Sequence, residues 1–176
     1  MNNNGLDIRA ICTDIDGTLL DSRRELSPTT ISVFHQIRHK MPIILASSRM
    51  PRAMRHLQRE LGIMDQPMIC YNGGYVLRYD NDNTLEVIYS VDIAWEICAE
   101  ILALGNKTSL HLSLYREDEW YAPRMDEWTN REATITKVAP ILMSGEAVLN
   151  LWKTPNHGAH KIMCMGDANE IKSLEE

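Results

Sequence analysis

Two aspartates flank one isoleucine in the stretch ICTDIDGTLLDS, residues 11–22. Asp14 and Asp16 follow an apolar run and precede Gly17 and Thr18. Neighbouring carboxylates repel each other, and burying either is costly without a partner. An extended backbone would turn residues two apart to the same side, and Gly17 lets the chain bend sharply away. A divalent cation is an economical answer to the repulsion, and an oxygen-only ligand set of Asp14 and Asp16 favours Mg²⁺. Mg²⁺ keeps its waters and commonly shares phosphate oxygens with one or two carboxylates. An ionised Asp14 could then attack phosphorus and form an aspartyl-phosphate. Asp16 could protonate the leaving oxygen and afterwards deprotonate the attacking water. A calcium loop competes, because Glu25 is the twelfth residue counted from Asp14. The sixth position is Leu19 rather than glycine, and a strand rather than a helix precedes the loop, which sets calcium aside.

The surrounding elements must hold these groups. Residues 8–13 read as a short apolar strand. Ser27 as N-cap and Pro28 at the first helical position open a helix with Ile31, Phe34 and Ile37 on one face. MPIILASS (41–48) reads as a strand covered on both faces. A second helix over 51–62 turns Met54, Leu57 and Leu61 inward and ends at Gly62. PMICY (67–71) is a third strand running into Asn72-Gly73-Gly74. This alternation predicts a parallel sheet of βαβ units, whose ligands bind beyond the carboxyl ends of the strands. Residues 75–90 read as a hairpin turning at Asp80–Asn83, 91–105 as an amphipathic helix, and 109–123 as two antiparallel pieces. A strand over 160–166 and a helix from Asp167 follow. A soft boundary falls near residues 80–86.

With 176 residues, 44% apolar and 24% charged, the chain suits one ordinary domain or two small ones. A net charge of −6 argues against a general nucleic-acid or anionic-membrane partner. Cys12, Cys70, Cys98 and Cys164 lie far apart, as expected of reduced, mostly buried thiols in a cytoplasmic protein. The start, MNNNGLD, has neither a basic nor an apolar stretch, so no signal peptide is expected.

DIDGTLLDS resembles the nucleophile motif of the haloacid dehalogenase-like (HAD) phosphatases, and the elements after it resemble their Cof-like sugar-phosphatase branch. The resemblance covers most of the chain. It implies a doubly wound, Rossmann-like α/β core over residues 1–82 and an inserted α+β cap over 83–176. LASSR (45–49) matches the branch's second motif, usually Thr-Gly-Arg, with Ser47 and Ser48 substituted and Arg49 kept. YNGG (71–74) is similar to the Asn-Gly at the end of the third strand; it serves equally well as a plain turn. The implied phosphate pocket comprises Gly17, Thr18, Ser47, Ser48, Arg49, Asn72 and Gly73. The implied activity is Mg²⁺-dependent hydrolysis of a small phosphomonoester, such as a sugar phosphate. Non-catalytic phosphate or partner binding, and phosphoryl transfer as in a mutase, use the same motif and stay open. The family's later lysine and acidic Gly-Asp motif have no clear counterpart. Asp167 with Glu170 reads instead as a capping box. The sequence therefore looks like the first two-thirds of a phosphatase, with an incomplete cap and little activity expected of it alone. Arg49, Arg52, Arg55 and Arg59 are expected on a solvated helix face, and His157 and His160 in a polar loop. Trp120, Tyr121 and Trp128 are either cap core or a substrate-facing surface.

Overall fold

The computed structural model describes residues 7–80, 82–154 and 157–172. Two compact units divide the chain. Residues up to Ser48 together with Met54–Tyr89 form the first, and Arg49–Ala53 with the residues from Ser90 onward form the second.

The first unit is built on β1 (Ile11–Asp14), β2 (Ile43–Ala46), β3 (Met68–Cys70), β4 (Tyr75–Tyr79) and β5 (Leu85–Ser90), adjacent in that order in one sheet. β1, β2 and β3 are parallel, and β4 turns back against β3. Helices α1 (Pro28–Ile37) and α2 (Arg52–Leu61) make the crossovers. The Ser27 hydroxyl accepts from the Thr30 N–H at 3.0 Å, satisfying one of the amides orphaned at the start of α1. Met54, Leu57 and Leu61 are buried with Ile43, Leu45, Met68 and Leu77, and Gly62, at φ +69°, ends α2. No residue of α1 is fully buried. Hairpin pairing carries β5 into this sheet, so the unit changes at Tyr89–Ser90.

The second unit has a four-stranded sheet in the order β8-β7-β6-β9: β6 is His111–Arg116, β7 Glu119–Ala122, β8 Ile141–Leu142 and β9 Lys161–Met165. Leu114 and Tyr121, paired across β6 and β7, join a core with Cys98 and Leu102 of α3 (Trp95–Gly105) and Val148, Leu149 and Trp152 of α5 (Gly145–Trp152). The adjacent pair, Tyr115 and Trp120, stacks with ring centres 5.7 Å apart. Trp120 and Tyr121 are thus core, and Trp128 on α4 (Glu127–Thr136) is half-buried. The sequence reading passed over α4, β8 and α5; α4 lacks a clear apolar stripe and is opened by Asp126, whose carboxylate accepts from the Thr129 N–H at 3.0 Å. Cys70 and Cys98 are buried, Cys164 is half-buried, and Cys12 is exposed on β1. Among the described residues no helix is long and apolar enough to cross a membrane.

Candidate active site

Parallel register sets the site. Asp14 closes β1 opposite Ala46, and Ala46 lies opposite Ile69 of β3. One residue further, the Ser47 N–H donates to the Ile69 carbonyl at 2.9 Å, and the Ser47 carbonyl accepts from the Asn72 N–H at 3.1 Å. Asp14, Ser47 and Asn72 therefore stand at the carboxyl ends of three adjacent parallel strands, where open α/β sheets bind ligands.

The loop after β1 is anchored from below. Ile15 is fully buried, and its carbonyl accepts from both Leu19 and Leu20 amides at 3.1 Å. Leu19 and Leu20 are buried, which leaves Asp14, Asp16, Gly17 and Thr18 exposed. β1 ends at Asp14, so Asp16 stands in the turn rather than on the extended backbone expected for it. Exposed, buried, exposed is still the order across Asp14, Ile15 and Asp16. Gly17 adopts φ +79°. A Cβ there would meet nothing within 4 Å, so the turn's dihedral rather than space calls for glycine. The Thr18 hydroxyl donates to Asp14 Oδ2 at 3.1 Å.

Asp16 gains a neighbour that its motif does not reveal. Arg24 Nη1 lies 3.8 Å from Asp16 Oδ1. Arg24 is held at φ +62° in a turn whose Asp21 carboxylate accepts from the Arg23 and Glu25 amides at 2.8 and 3.0 Å. The Glu25 amide in particular holds the Asp21 carboxyl below its usual range.

At the end of β3 the chain passes through a short 3₁₀ turn, Tyr71–Gly73, with three successive left-handed residues: φ is +52° at Tyr71, +54° at Asn72 and +101° at Gly73. Asparagine tolerates this region and tyrosine does not, so backbone strain is concentrated beside the strand ends. Tyr71 is buried and Asn72 exposed. Ser47 is buried and Ser48 exposed; Arg49 is buried, its Nη1 donating to the Ala53 carbonyl at 3.4 Å.

The two exposed carboxylates offer oxygen ligands of the kind a hard cation takes. Asp14 commits one oxygen to Thr18, leaving the other for a metal or an electrophile. Among the described residues no group of three His, Cys, Asp or Glu side chains converges to hold a metal ion. Asp14 and Asp16 are residues that could each offer an oxygen to a Mg²⁺ here.

Several residues elsewhere behave differently from their sequence reading. His160 is buried rather than in a polar loop: Ser90 Oγ is 3.0 Å from its Nε2, and the Glu117 N–H donates to its Nδ1 at 3.0 Å. Burial, with Arg116 beside it, pulls its pKa down to about 4. Arg49 and Arg55 leave the expected solvated stripe, since Arg49 is buried and Arg55 lies 3.9 Å over the Tyr79 ring. Asp167 accepts from the Asn169 and Glu170 amides at 2.8 and 3.4 Å, capping α6 (Ala168–Lys172). Glu170 does not complete the box but accepts from the Ser109 hydroxyl at 2.7 Å.

One unanticipated chain has the connectivity of a hydrolytic triad. Ser113 Oγ is 2.9 Å from His111 Nε2, and His111 Nδ1 is 2.7 Å from Asp126 Oδ2. Ser113 is fully buried, so no substrate reaches its hydroxyl. The chain ties β6 to the start of α4. Burial pushes the Asp126 carboxyl up, but the Thr129 amide and His111 outweigh it and leave it below its usual range.

The family model described as haloacid dehalogenase-like hydrolase matches residues 11–176. A pyridoxal phosphate phosphatase of Escherichia coli is 25% identical over 158 residues, a match covering 82% of this chain and 57% of the relative. Among solved structures, a haloacid dehalogenase-like hydrolase from Bacteroides thetaiotaomicron superposes with a TM-score of 0.79 at 22% identity, covering 95% of this chain and 61% of the other. A subclass IIB sugar phosphatase of the same superfamily superposes with a TM-score of 0.71 at 22% identity, covering 95% of this chain and 62% of the other. The chain spans 57–60% of the length of the first curated relatives it matches.

Proposed function

Because this chain belongs to the haloacid dehalogenase-like hydrolases, we propose that it carries the nucleophile of a Mg²⁺-dependent phosphatase acting on a small phosphomonoester. The observation that carries the reading is the register that brings Asp14, Ser47 and Asn72 to one end of the parallel sheet. The first unit is the proposed catalytic core and the second the proposed cap.

Asp14 attacks phosphorus with its free carboxylate oxygen, and the ester P–O bond breaks as an aspartyl-phosphate forms. Asp16 gives its proton to the departing alkoxide. Water then attacks the same phosphorus; Asp16 takes the water's proton, and Asp14 is released with inorganic phosphate. The Ser47 hydroxyl donates to a phosphoryl oxygen, and Thr18 steadies the nucleophile through Asp14 Oδ2. Gly17, Ser48, Arg49, Asn72 and Gly73 complete the proposed phosphate pocket. Bound by the Asp14 carboxylate and the Asp16 carbonyl, Mg²⁺ would offset the charge of an incoming phosphate dianion. A sugar phosphate is the substrate we favour, in line with the named activity of the subclass IIB neighbour; a polyanionic nucleic acid would meet a net charge of −6. We place the protein in the cytoplasm, consistent with four free thiols.

Turnover of p-nitrophenyl phosphate with saturating Mg²⁺, measured in a version extended to a complete core, tests the assignment. There Asp14→Asn should lower turnover by roughly a thousandfold or more while the far-UV spectrum is unchanged, because the covalent step itself is lost. Wild-type turnover in a folded Asp14→Asn protein would sink the nucleophile assignment. Phosphate binding without any turnover in the extended wild-type version would favour the binding-only reading.

A further inference from the structure

The second unit includes Arg49–Ala53, the segment that follows Ser48 and opens α2. A helix start commonly carries its own cap, but Met50 and Pro51, just before Arg52, have no side-chain acceptor to offer. The first turn of α2 also lacks an acidic residue and instead holds Arg52 and Arg55, the wrong sign for that end of the helix dipole. Its orphaned amides need an acceptor from elsewhere.

Asp118 supplies one from 66 residues away. Its Oδ1 accepts from the Arg52 N–H at 2.6 Å and its Oδ2 from Arg52 Nε at 3.3 Å. Asp118 lies in the two-residue turn between β6 and β7, closed by the Arg116–Glu119 pair. Glu117, the other turn residue, is held at φ +50°, where glycine is favoured, with its N–H on His160 Nδ1. Burial pushes the Asp118 carboxyl up even with Arg52 beside it. A strained turn and a desolvated carboxylate are both costs that a plain hairpin turn has no need of.

The bonds continue to Arg49. Arg49 is buried, and its Nη1 donates to the carbonyl of Ala53, the residue after Arg52, at 3.4 Å. The Ala53 N–H donates in turn to the Met50 carbonyl at 3.1 Å, and both Met50 and Ala53 are buried. The Arg49 side chain is therefore held by the same helical turn that Asp118 caps. We propose that Asp118 is a positioning residue for phosphate binding, which caps α2 and thereby fixes Arg49. The inference rests on the reading above, in which Arg49 belongs to the phosphate pocket.

The test uses the version extended to a complete core, titrated with inorganic phosphate in the presence of Mg²⁺, together with hydrogen exchange at the Arg52 amide. Asp118→Ala should weaken phosphate binding about fivefold, the factor that one lost cap can supply, and should speed exchange at Arg52. Asp118→Asn keeps a side-chain oxygen that can cap. It should bring both readings to within about twofold of wild type, although it removes the charge facing Arg52. Urea unfolding of each variant separates a local loss from a general one. Unchanged phosphate affinity in Asp118→Ala, or an Asp118→Asn protein as impaired as Asp118→Ala, would overturn the proposal. Phosphate failing to bind the wild type, with the Arg52 amide still protected, would bring down the phosphate-pocket reading itself and the proposal with it.

Discussion

At His160 the hydrogen bonds select both tautomer and charge. The Glu117 N–H points at Nδ1, so Nδ1 must accept and the proton sits on Nε2, facing the Ser90 hydroxyl. Protonating Nδ1 would set two donors against each other beside Arg116, in a place burial already makes unfavourable for charge. With a folded pKa near 4 and an ordinary value of 6.5, the unfolded chain binds the extra proton first. The stabilisation is therefore fully present above pH 6.5 and is lost as pH falls from 6.5 towards 4. We expect His160→Gln to flatten the pH dependence of urea unfolding across that window by on the order of 2 kcal/mol, after allowing for solvent screening. An unchanged slope would mean the ring carries no such linkage. Asp16 offers a second prediction. Asp16→Asn should cut turnover most for substrates with poor leaving groups and least for strongly acidic phenols, read from a series of aryl phosphates. The strand-end positions of Asp14, Ser47 and Asn72 were legible in the sequence because each falls in a short motif at the end of an apolar run. Arg24 beside Asp16 was not, because an irregular turn brings it there, and His160 between Ser90 and Glu117 was not, because contacts 70 and 43 residues away leave no local pattern.

The elements show the same divide. Ser27-Pro28 and Gly62 mark helix ends through local chemistry that any chain must obey, so α1 and α2 were readable residue by residue. α4 was missed because its sequence, EWTNREATIT, is mostly polar and threonine-rich. Its place is fixed instead by tertiary bonds, from Asp126 to His111 and from Glu132 to the Tyr115 hydroxyl. Gly158 is a quieter case. Beside it, Ala159 bridges to Ile93, and the Gly158 N–H donates to Asp92 at 2.9 Å while its carbonyl accepts from Arg116 at 2.8 Å. An added Cβ would lie 1.6 Å from the Ile93 carbonyl oxygen. Gly158→Ala should therefore destabilise the second unit by about 2–3 kcal/mol, the upper end for overpacking. Gly17→Ala, with open space but a left-handed φ, should cost about 1 kcal/mol. Equal losses in urea titrations of the two variants would show that the crowding at Gly158 relaxes freely.

For the molecule as a whole, the edges of the first sheet matter most. Every residue of β5 is exposed, including Leu85, Val87, Ile88 and Tyr89 at 46–55%. Among the described residues β5 ends the strand order on one side and β1 on the other. A long apolar edge invites another strand, and a net charge of −6 is a weak deterrent at physiological salt. We expect concentration-dependent self-association by light scattering after size exclusion, and Val87→Lys should suppress it by placing a charge on the edge. Association unaffected by Val87→Lys would locate the contact elsewhere.

The three left-handed residues at the end of β3 carry an implication for anyone selecting improved variants. Asparagine tolerates the left-handed region, so the strain falls on Tyr71, whose ring is buried. A glycine at position 71 would ease the backbone but open a void in the core and loosen the unfolded chain. A library sorted for heat resistance would therefore retain the strained tyrosine, and the bend that carries Asn72 to the strand ends would survive selection along with it.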